Sequence, residues 1–201
     1  MKGVILISGS GSNLQSIIDN AEKIDLDIQA VISNKEEAYG LKRAQDANIP
    51  IHTLNHTQFS IREAFDQQLS QIIDQYNPGI IILAGFMRIL TAEFTQKYLG
   101  KMLNIHPSLL PKFTGLNTHQ RALDAGESEH GVSIHFVTDE LDGGPIIAQS
   151  HVQVLKNDTA DSLAKRVLIE EHKLFPKVIH CFTQGRLSLK DNRAKLDGQC
   201  L

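Results

Sequence analysis

The sequence predicts a single α/β domain of residues 1–201, with a mostly parallel twisted sheet and helices on both of its faces. In the first half, short runs rich in β-branched residues alternate with helical patterns, which is typical of parallel strands joined by crossover helices. In the second half, two segments alternate apolar and polar residues, as half-buried antiparallel strands do. No repeat, linker or low-complexity segment divides the chain.

The predicted strands of the first half are short apolar runs, and the segments between them carry apolar residues at helical spacing. The predicted strands are Val4–Ile7, Ile28–Ile32, Ile51–Leu54, Gly79–Ala84 and Met102–Ile105. The predicted helices are Asn13–Glu22, Ala38–Ala47, Ser60–Tyr76 and Ala92–Tyr98. Pro78 marks the end of the longest of these helices.

The second half is predicted to hold two antiparallel strands and a long helix. Val132–Val137 and Ala148–Leu155 show the strand alternation, and a helical pattern runs from Thr159 to Phe182. We expect this helix to be interrupted or kinked near Pro176, because a proline inside a helix removes a hydrogen bond. Open α/β sheets bind ligands beyond the carboxyl ends of their parallel strands, so we expect the active site there.

The composition is that of a soluble globular protein, with 41% hydrophobic and 21% charged residues. A formal charge of -3 predicts no general attraction to nucleic acid or to an anionic membrane. The longest apolar run, residues 79–87, is too short to span a bilayer, and no export signal is visible. Cys181 and Cys200 are the only cysteines, which fits a reducing cytoplasm. We therefore expect a cytoplasmic protein. A monomer or weak homodimer is expected as well, although the composition does not bear on this.

A glycine-rich loop, Ser8-Gly9-Ser10-Gly11-Ser12-Asn13, separates the first strand from the first helix. Free backbone N–H groups and the helix dipole favour anion binding at such a position. A dinucleotide site would need a third glycine at position 14 and an acidic residue after the second strand, where this sequence has Leu14 and Ser33-Asn34. The loop therefore favours a monophosphate over a dinucleotide, although a glycine turn without a ligand is the alternative.

Asn104, His106 and Asp142 are the candidate catalytic residues. Asn104 and His106 are two residues apart, so on a strand both side chains leave the same face just before Pro107 ends the pairing. An amide can donate to an oxygen that gains negative charge, and an imidazole can move a proton near neutral pH. A carboxylate nearby favours the imidazolium cation, and Asp142 lies in an Asp-Gly-Gly turn. Taken one at a time, Asn104 also fits the cap of a turn, His106 fits a histidine of the core, and Asp142 fits an ordinary turn residue.

The remaining polar candidates are ambiguous from their spacing alone. Arg62 and Glu171 have the spacing of ordinary solvent-exposed charges on helices. Residues 86–90 have the pattern of an ordinary core segment that leads into a helix. His119 and His135 lie near the candidate site in sequence, and the pattern leaves their roles open. The nine histidines form no HExxH or comparable ligand cluster, so no metal is expected.

Several motifs in the same order resemble the folate-dependent formyltransferases. They are Asn-Ile-His-Pro-Ser-Leu-Leu-Pro at 104–111, Asp-Glu-Leu-Asp-Gly-Gly-Pro at 139–145, the glycine-rich loop, residues 83–90 and Glu171-His172. The resemblance extends to about Leu196 and implies one Rossmann-like formyltransferase domain, with a phosphate-binding half at about 1–100 and a catalytic and folate half at about 101–196. It implies that 10-formyltetrahydrofolate, as co-substrate, donates its formyl group to the amine of glycinamide ribonucleotide in purine biosynthesis.

The resemblance also implies roles for individual residues. Asn104, His106 and Asp142 match the catalytic positions, Gly11, Ser12 and Asn13 match the phosphate site, and Glu171 matches a position that holds the ammonium or amide end of the substrate. The implied folate-binding residues are Arg62, Met87, Arg88, Ile89, Leu90, Asn104, Thr138, Asp139, Glu140, Leu141 and Asp142. Thr114 and Lys173 depart from the family pattern, in which proline is often found.

Two alternatives, a hydrolase and a nucleotide-binding module, are kept, and the methionyl-transfer-RNA formyltransferases are set aside. In a 10-formyltetrahydrofolate hydrolase, water would replace the amine and the same residues would act on it, but such enzymes add an N-terminal regulatory domain. The methionyl-transfer-RNA formyltransferases add a C-terminal basic domain. A non-catalytic nucleotide-binding module would use only the glycine-rich loop, and it would leave the Asn104, His106 and Asp142 set unexplained.

Overall fold

A computed structural model describes residues 1–201 and contains a seven-stranded sheet of order β3-β2-β1-β4-β5-β6-β7. Strands β1 to β5 are parallel, whereas β6 is antiparallel to β5 and β7 to β6. The strands are β1 Lys2–Ile7, β2 Asp27–Ser33, β3 Ile51–Thr53, β4 Ile80–Leu83, β5 Met102–His106, β6 Glu129–Phe136 and β7 Ile146–Gln153. The predicted single domain, with a parallel first part and antiparallel strands in the C-terminal part, is confirmed.

Helices cover both faces of the sheet. They are α1 Ser12–Asn20, α2 Tyr39–Asp46, α3 Arg62–Tyr76, α4 Ala92–Lys97, α5 Thr118–Asp124 and α6 Ala160–Thr183. Along β1, Ile5 and Ile7 pack in a core with α1, α2 and α6, whereas Val4 and Leu6 pack in a second core with α3 and α4. Because successive side chains of a strand face opposite sides, a fully apolar strand such as β1 must be covered on both.

The order of the strands reverses between β1 and β4. The chain moves outward from β1 to β3, then returns to place β4 on the other side of β1. In such sheets the loops at the reversal diverge and leave a crevice beyond the carboxyl ends of the strands. The segments that follow β1, β4 and β5 therefore border one crevice, where the sequence predicts the active site.

The predicted interruption of the last helix is wrong, because α6 runs continuously from Ala160 to Thr183 with Pro176 inside it. Proline has no N–H to donate to the carbonyl of His172 one turn earlier. That carbonyl instead accepts a hydrogen bond from the hydroxyl of Ser16 on α1, at 3.1 Å. A neighbouring helix thus satisfies the group that the proline leaves free.

A second, three-stranded antiparallel sheet follows α6 and has no counterpart in the sequence prediction. Its strands are β8 Leu187–Lys190, β9 Arg193–Leu196 and β10 Gln199–Cys200. Leu187 and Ala194 of this sheet join the main core. None of the helices has the length and apolar character needed to cross a membrane.

Candidate active site

The antiparallel pairing of β5 with β6 places four polar side chains in two opposed pairs. Asn104 lies opposite His135, and His106 lies opposite Ser133. Residues two apart on each strand share a face, and directly opposed residues are close enough for their side chains to interact. The predicted polar pair at the end of β5 is therefore present, and it meets a matching pair on β6.

The amide of Asn104 is oriented by His135. His135 Nδ1 is 2.8 Å from the carbonyl oxygen of Phe136, which can only accept, so Nδ1 carries the hydrogen. His135 Nε2 is then an acceptor and lies 3.0 Å from Asn104 Nδ2, which donates to it. Burial lowers the pKa of His135, which keeps the imidazole neutral and able to accept. One amide hydrogen of Asn104 is thus taken, and the second remains available to a ligand.

His106 is buried between a backbone carbonyl and a carboxylate. Its Nε2 donates to the carbonyl oxygen of Phe113 at 2.8 Å. Its Nδ1 lies 3.5 Å from Oδ2 of Asp142. Since Nε2 is occupied, Nδ1 is the ring nitrogen that can exchange a proton with a substrate, a water molecule or the carboxylate. The structure thus brings together Asn104, His106 and Asp142, as the sequence predicts.

Asp142 is positioned by an unusual backbone and by a neighbouring loop. Its φ is 53°, in the left-handed region that aspartate tolerates better than most residues. Oδ2 accepts a hydrogen bond from the N–H of Gly115 at 2.8 Å, and Oδ1 lies 3.8 Å from His135 Nε2. Gly144 allows this return of the chain, because a Cβ there would lie only 1.9 Å from the carbonyl oxygen of Phe136.

The loop after β5, residues 107–117, is held in place by hydrogen bonds to Ser133 on β6. The Ser133 hydroxyl donates to the carbonyl of Ser108 at 2.6 Å and accepts from the N–H of Leu110 at 2.9 Å. Gln149 on β7 donates to the carbonyl of Leu110 at 3.0 Å. These bonds hold the loop in the path that presents the Phe113 carbonyl to His106.

A narrow cleft beside Asn104 contains most of the predicted folate-binding residues. The members of that set that line it are Arg88, Ile89, Leu90, Asn104, Thr138, Asp139, Glu140, Leu141 and Asp142. His135 lines it too. Two predicted members do not: Arg62 is exposed at the start of α3, and the Met87 side chain is 60% exposed outside the lining. The cleft thus joins a partly apolar wall to the polar cluster.

The glycine-rich loop ends at the first turn of α1. Gly11 has φ 70° and directly precedes the helix, which begins at Ser12. A Cβ at Gly11 would lie 2.5 Å from Cα of Gly40 on α2, so both the backbone angle and the packing require glycine. The N–H groups of the first turn have no partner within the helix, and such a position is suited to bind an anion.

Asn13 of this turn reaches Glu171 on α6. Asn13 Nδ2 donates to Oε2 of Glu171 at 2.6 Å. Burial raises the pKa of Glu171, and the hydrogen bond from Asn13 opposes that rise. The other amide atom, Asn13 Oδ1, is buried without a partner. The buried carboxylate of Glu171 and the unpaired Asn13 oxygen thus lie side by side next to the start of α1. Such a pair is suited to bind the polar groups of a ligand.

His119 forms a separate pair behind the loop. Its Nδ1 lies 3.1 Å from Nε2 of His130, and the pair packs against Phe113 through the His130 ring. Burial lowers the pKa of both histidines, that of His130 to about 4. His119 therefore packs and hydrogen-bonds beneath the loop, whereas His135, the other histidine that the sequence leaves open, contacts Asn104 directly.

Both residues that depart from the family pattern take part in polar contacts. Thr114 precedes Gly115, and its carbonyl accepts a hydrogen bond from Arg121 at 2.5 Å. Lys173 continues α6 and pairs with Glu170 at 2.8 Å. No group of three or more histidine, cysteine, aspartate or glutamate side chains has the arrangement of a metal site.

Spacing alone leaves the role of His135 open and gives no role to Ser133 or Phe113. A signal for the first two exists, because Ser133 and His135 repeat the two-residue spacing of Asn104 and His106 on the next predicted strand. Phe113 acts through its backbone carbonyl, for which side-chain patterns carry no signal.

Comparison with known proteins identifies the class to which this fold and site belong. The formyl transferase family model matches residues 1–179, and the chain belongs to that family. The phosphoribosylglycinamide formyltransferase of Escherichia coli K12 is 53% identical, over 100% of this chain and 96% of the relative. The phosphoribosylglycinamide formyltransferase of Haemophilus influenzae is 48% identical, over 100% of this chain and 95% of the relative. A phosphoribosylglycinamide formyltransferase structure from Coxiella burnetii has a TM-score of 0.96 and 52% identity, covering 100% of this chain and 95% of that one.

We predict that the free energy of unfolding falls as the pH is lowered from 6.5 towards 4. The unfolded chain protonates His130 near 6.5, whereas the folded protein does so only near 4, so acid favours the unfolded state within that window. Urea unfolding across the window measures the slope. His130→Gln should flatten it, with the exposed His151→Gln as control. An equal slope in His130→Gln and in the parent would contradict the prediction.

Proposed function

We propose that this protein transfers the formyl group of 10-formyltetrahydrofolate to the amine of glycinamide ribonucleotide, a step of purine biosynthesis. The observation that carries the proposal is the cluster of Asn104, His106 and Asp142 at the carboxyl end of β5, within one crevice with the glycine-rich loop. Full-length relatives named phosphoribosylglycinamide formyltransferase support the same activity.

The acceptor would bind between α1 and α6. Gly11, Ser12 and Asn13 offer backbone donors for its phosphate at the start of α1. Glu171, held by Asn13, would accept hydrogen bonds from the ammonium or amide end of the ribonucleotide. The net charge of -3 gives no general attraction for such an anion, so the local site must supply it.

The formyl donor would occupy the cleft beside Asn104. Ile89, Leu90 and Leu141 give it apolar surface for a flat heterocycle, and the segment 138–142 offers backbone groups. The exposed Arg62 and Met87 lie outside that lining, and their proposed contacts are with the part of the folate that projects from the cleft.

The reaction follows from the geometry of the cluster. The neutral amine adds to the formyl carbon, which forms a carbon–nitrogen bond and a tetrahedral intermediate with an oxyanion. The free amide hydrogen of Asn104 donates to that oxyanion, and His106 adds positive charge beside it. The bond to the folate nitrogen then breaks, and a proton lost by the amine reaches that nitrogen by way of Nδ1 of His106, Asp142 or water.

Each alternative leaves some of the polar residues described above without a role. A hydrolase would place water where the amine binds, and it would leave Gly11, Asn13 and Glu171 without a ligand. A nucleotide-binding module would leave the polar cluster without a role. The proposal also includes a monomer or weak homodimer and a cytoplasmic location, and the two free cysteines support the location because they fit a reducing compartment.

Formyl transfer is tested with the purified protein and 10-formyltetrahydrofolate. We expect tetrahydrofolate to form only when glycinamide ribonucleotide is present, with equimolar formylated product detected by mass spectrometry. Equal tetrahydrofolate formation without the amine would favour the hydrolase. Binding of the ribonucleotide without any turnover would favour the nucleotide-binding module.

Asn104→Asp should lower kcat about 100-fold or more, because a donor to the oxyanion becomes a carboxylate that repels it. Steady-state kinetics with both substrates saturating measures the effect. Thermal unfolding and calorimetric binding of each substrate show whether the variant remains folded and loaded. A kcat near that of the parent at neutral pH would exclude Asn104 as the oxyanion donor.

Glu171→Gln should raise KM for glycinamide ribonucleotide about tenfold or more, since hydrogen bonds to a charged group contribute about 1.5–3 kcal/mol. KM for the formyl donor should change little. The raised pKa of Glu171 also predicts that acceptor affinity increases with pH as its carboxyl ionises, and that Glu171→Gln loses this dependence. Glu170→Gln, at the neighbouring, more exposed position, is the matched control. Equal changes in both KM values would count against this role.

A further inference from the structure

Ser8 is the residue between the end of β1 and the glycine-rich loop, and it is 5% exposed. Its side chain forms no hydrogen bond with the polar cluster or with the first turn of α1. Its hydroxyl instead joins two other strand ends, those of β2 and β4, which lie on either side of β1 in the sheet.

The two hydrogen bonds of this hydroxyl have a fixed direction. The backbone N–H of Met87 donates to Ser8 Oγ at 2.7 Å, so the hydroxyl hydrogen is free to be donated elsewhere. It is donated to Oδ1 of Asn34, at 2.5 Å. Asn34 is itself 2% exposed, and its carbonyl accepts from His56 Nδ1 at 3.0 Å. One buried hydroxyl therefore satisfies a donor from the segment after β4 and an acceptor from the segment after β2.

The segment after β4, residues 85–90, carries part of the wall of the donor cleft. It turns at Gly85, which has φ 79°, and it supplies Arg88, Ile89 and Leu90 to the lining. Its far end is fixed where the N–H of Thr91 donates to Oδ2 of the buried Asp66, at 2.6 Å. Its near end is fixed by the bond from Met87 to Ser8. The path of the cleft wall thus depends on two buried side-chain acceptors.

The glycine-rich loop has anchors of its own. The N–H of Gly40 donates to the carbonyl of Gly9 at 3.0 Å, and Arg43 Nε donates to the carbonyl of Ser10 at 2.9 Å. Loss of the Ser8 hydroxyl would leave both of these bonds in place. The expected consequence of that loss therefore falls on the segment 85–90 and on Asn34, and not on the glycine-rich loop.

We propose that Ser8 is a positioning residue for the formyl-donor site, which it shapes by holding the backbone of Met87. The inference rests on the proposed function, because it assigns the cleft to the folate donor. Although Ser8 belongs to the sequence motif of the phosphate loop, its side chain acts on the donor. Ser12 and Asn13 of the same motif serve the acceptor.

The test is Ser8→Ala, which leaves the Met87 N–H and Asn34 Oδ1 without their partner. We expect KM for 10-formyltetrahydrofolate to rise about tenfold, because the unsatisfied Met87 N–H no longer holds the near end of the segment 85–90. KM for glycinamide ribonucleotide should change less than about twofold, because the anchors of the glycine-rich loop remain. The dissociation constant of 5-formyltetrahydrofolate, a stable probe of the donor site, should rise in parallel by calorimetry.

Two variants separate positioning from a general loss of stability. Ser8→Thr keeps the hydroxyl and should restore donor affinity. Ser33→Ala removes a buried serine hydroxyl at the end of β2 that bonds only to the backbone of Lys35, and it should lower the melting temperature without separating the two KM values. If Ser8→Ala does not fold, Ser8→Cys keeps the size of the side chain, weakens both hydrogen bonds and should show a smaller rise of the same kind.

Each outcome has one meaning. Parallel rises in both KM values, or unchanged donor affinity in Ser8→Ala, would overturn the positioning role while the parent continues to transfer formyl groups. Failure of the parent to bind 5-formyltetrahydrofolate or to transfer formyl groups would overturn the proposed function, and this inference with it.

Discussion

The register between β5 and β6 is the constraint on which the polar cluster depends. It sets Asn104 against His135 and His106 against Ser133. From the first pair follows the orientation of the Asn104 amide, and from the second follows the path of the loop 107–117. A shift of one residue would turn every side chain of one strand to the opposite face. Apolar side chains of both strands face one common core, which opposes such a shift, so the apolar packing of the sheet also fixes the chemistry at its end. These side chains are Leu103, Ile105, Val132, Ile134 and Phe136.

Burial has a second role on the acceptor side. Glu171 is withdrawn from water and receives a hydrogen bond from Asn13, and the Asn13 Oδ1 atom has no partner. A buried carboxylate with so few donors is unfavourable for folding. Unfavourable groups of this kind are concentrated at functional sites, where a ligand supplies the missing partners. The same contact joins α1 to α6, and the Ser16 hydroxyl joins them again one turn away.

Much of this arrangement is readable in the sequence. Apolar runs and their spacing predict the parallel strands, and the two-residue interval between Asn104 and His106 predicts that both leave one face. The contribution of His135 is not readable in the same way, since it depends on which residues oppose each other across two strands. At Pro176 the local sequence predicts a feature that the structure does not have. Local chemistry predicts a break there, and a hydroxyl from a helix far away in the chain removes the need for one.

The partner of His106 Nε2 is a main-chain carbonyl, and this has a consequence for how the site tolerates genetic change. Every amino acid at position 113 supplies a carbonyl oxygen, so no missense change there deletes the acceptor itself. Selection on this bond acts on the conformation of the loop, and that conformation is shared among Ser133, Gln149 and Asp142. The remaining constraint at position 113 is one of backbone shape and packing, because its φ is 56° and its ring packs against His130, and this constraint limits which residues can replace phenylalanine there.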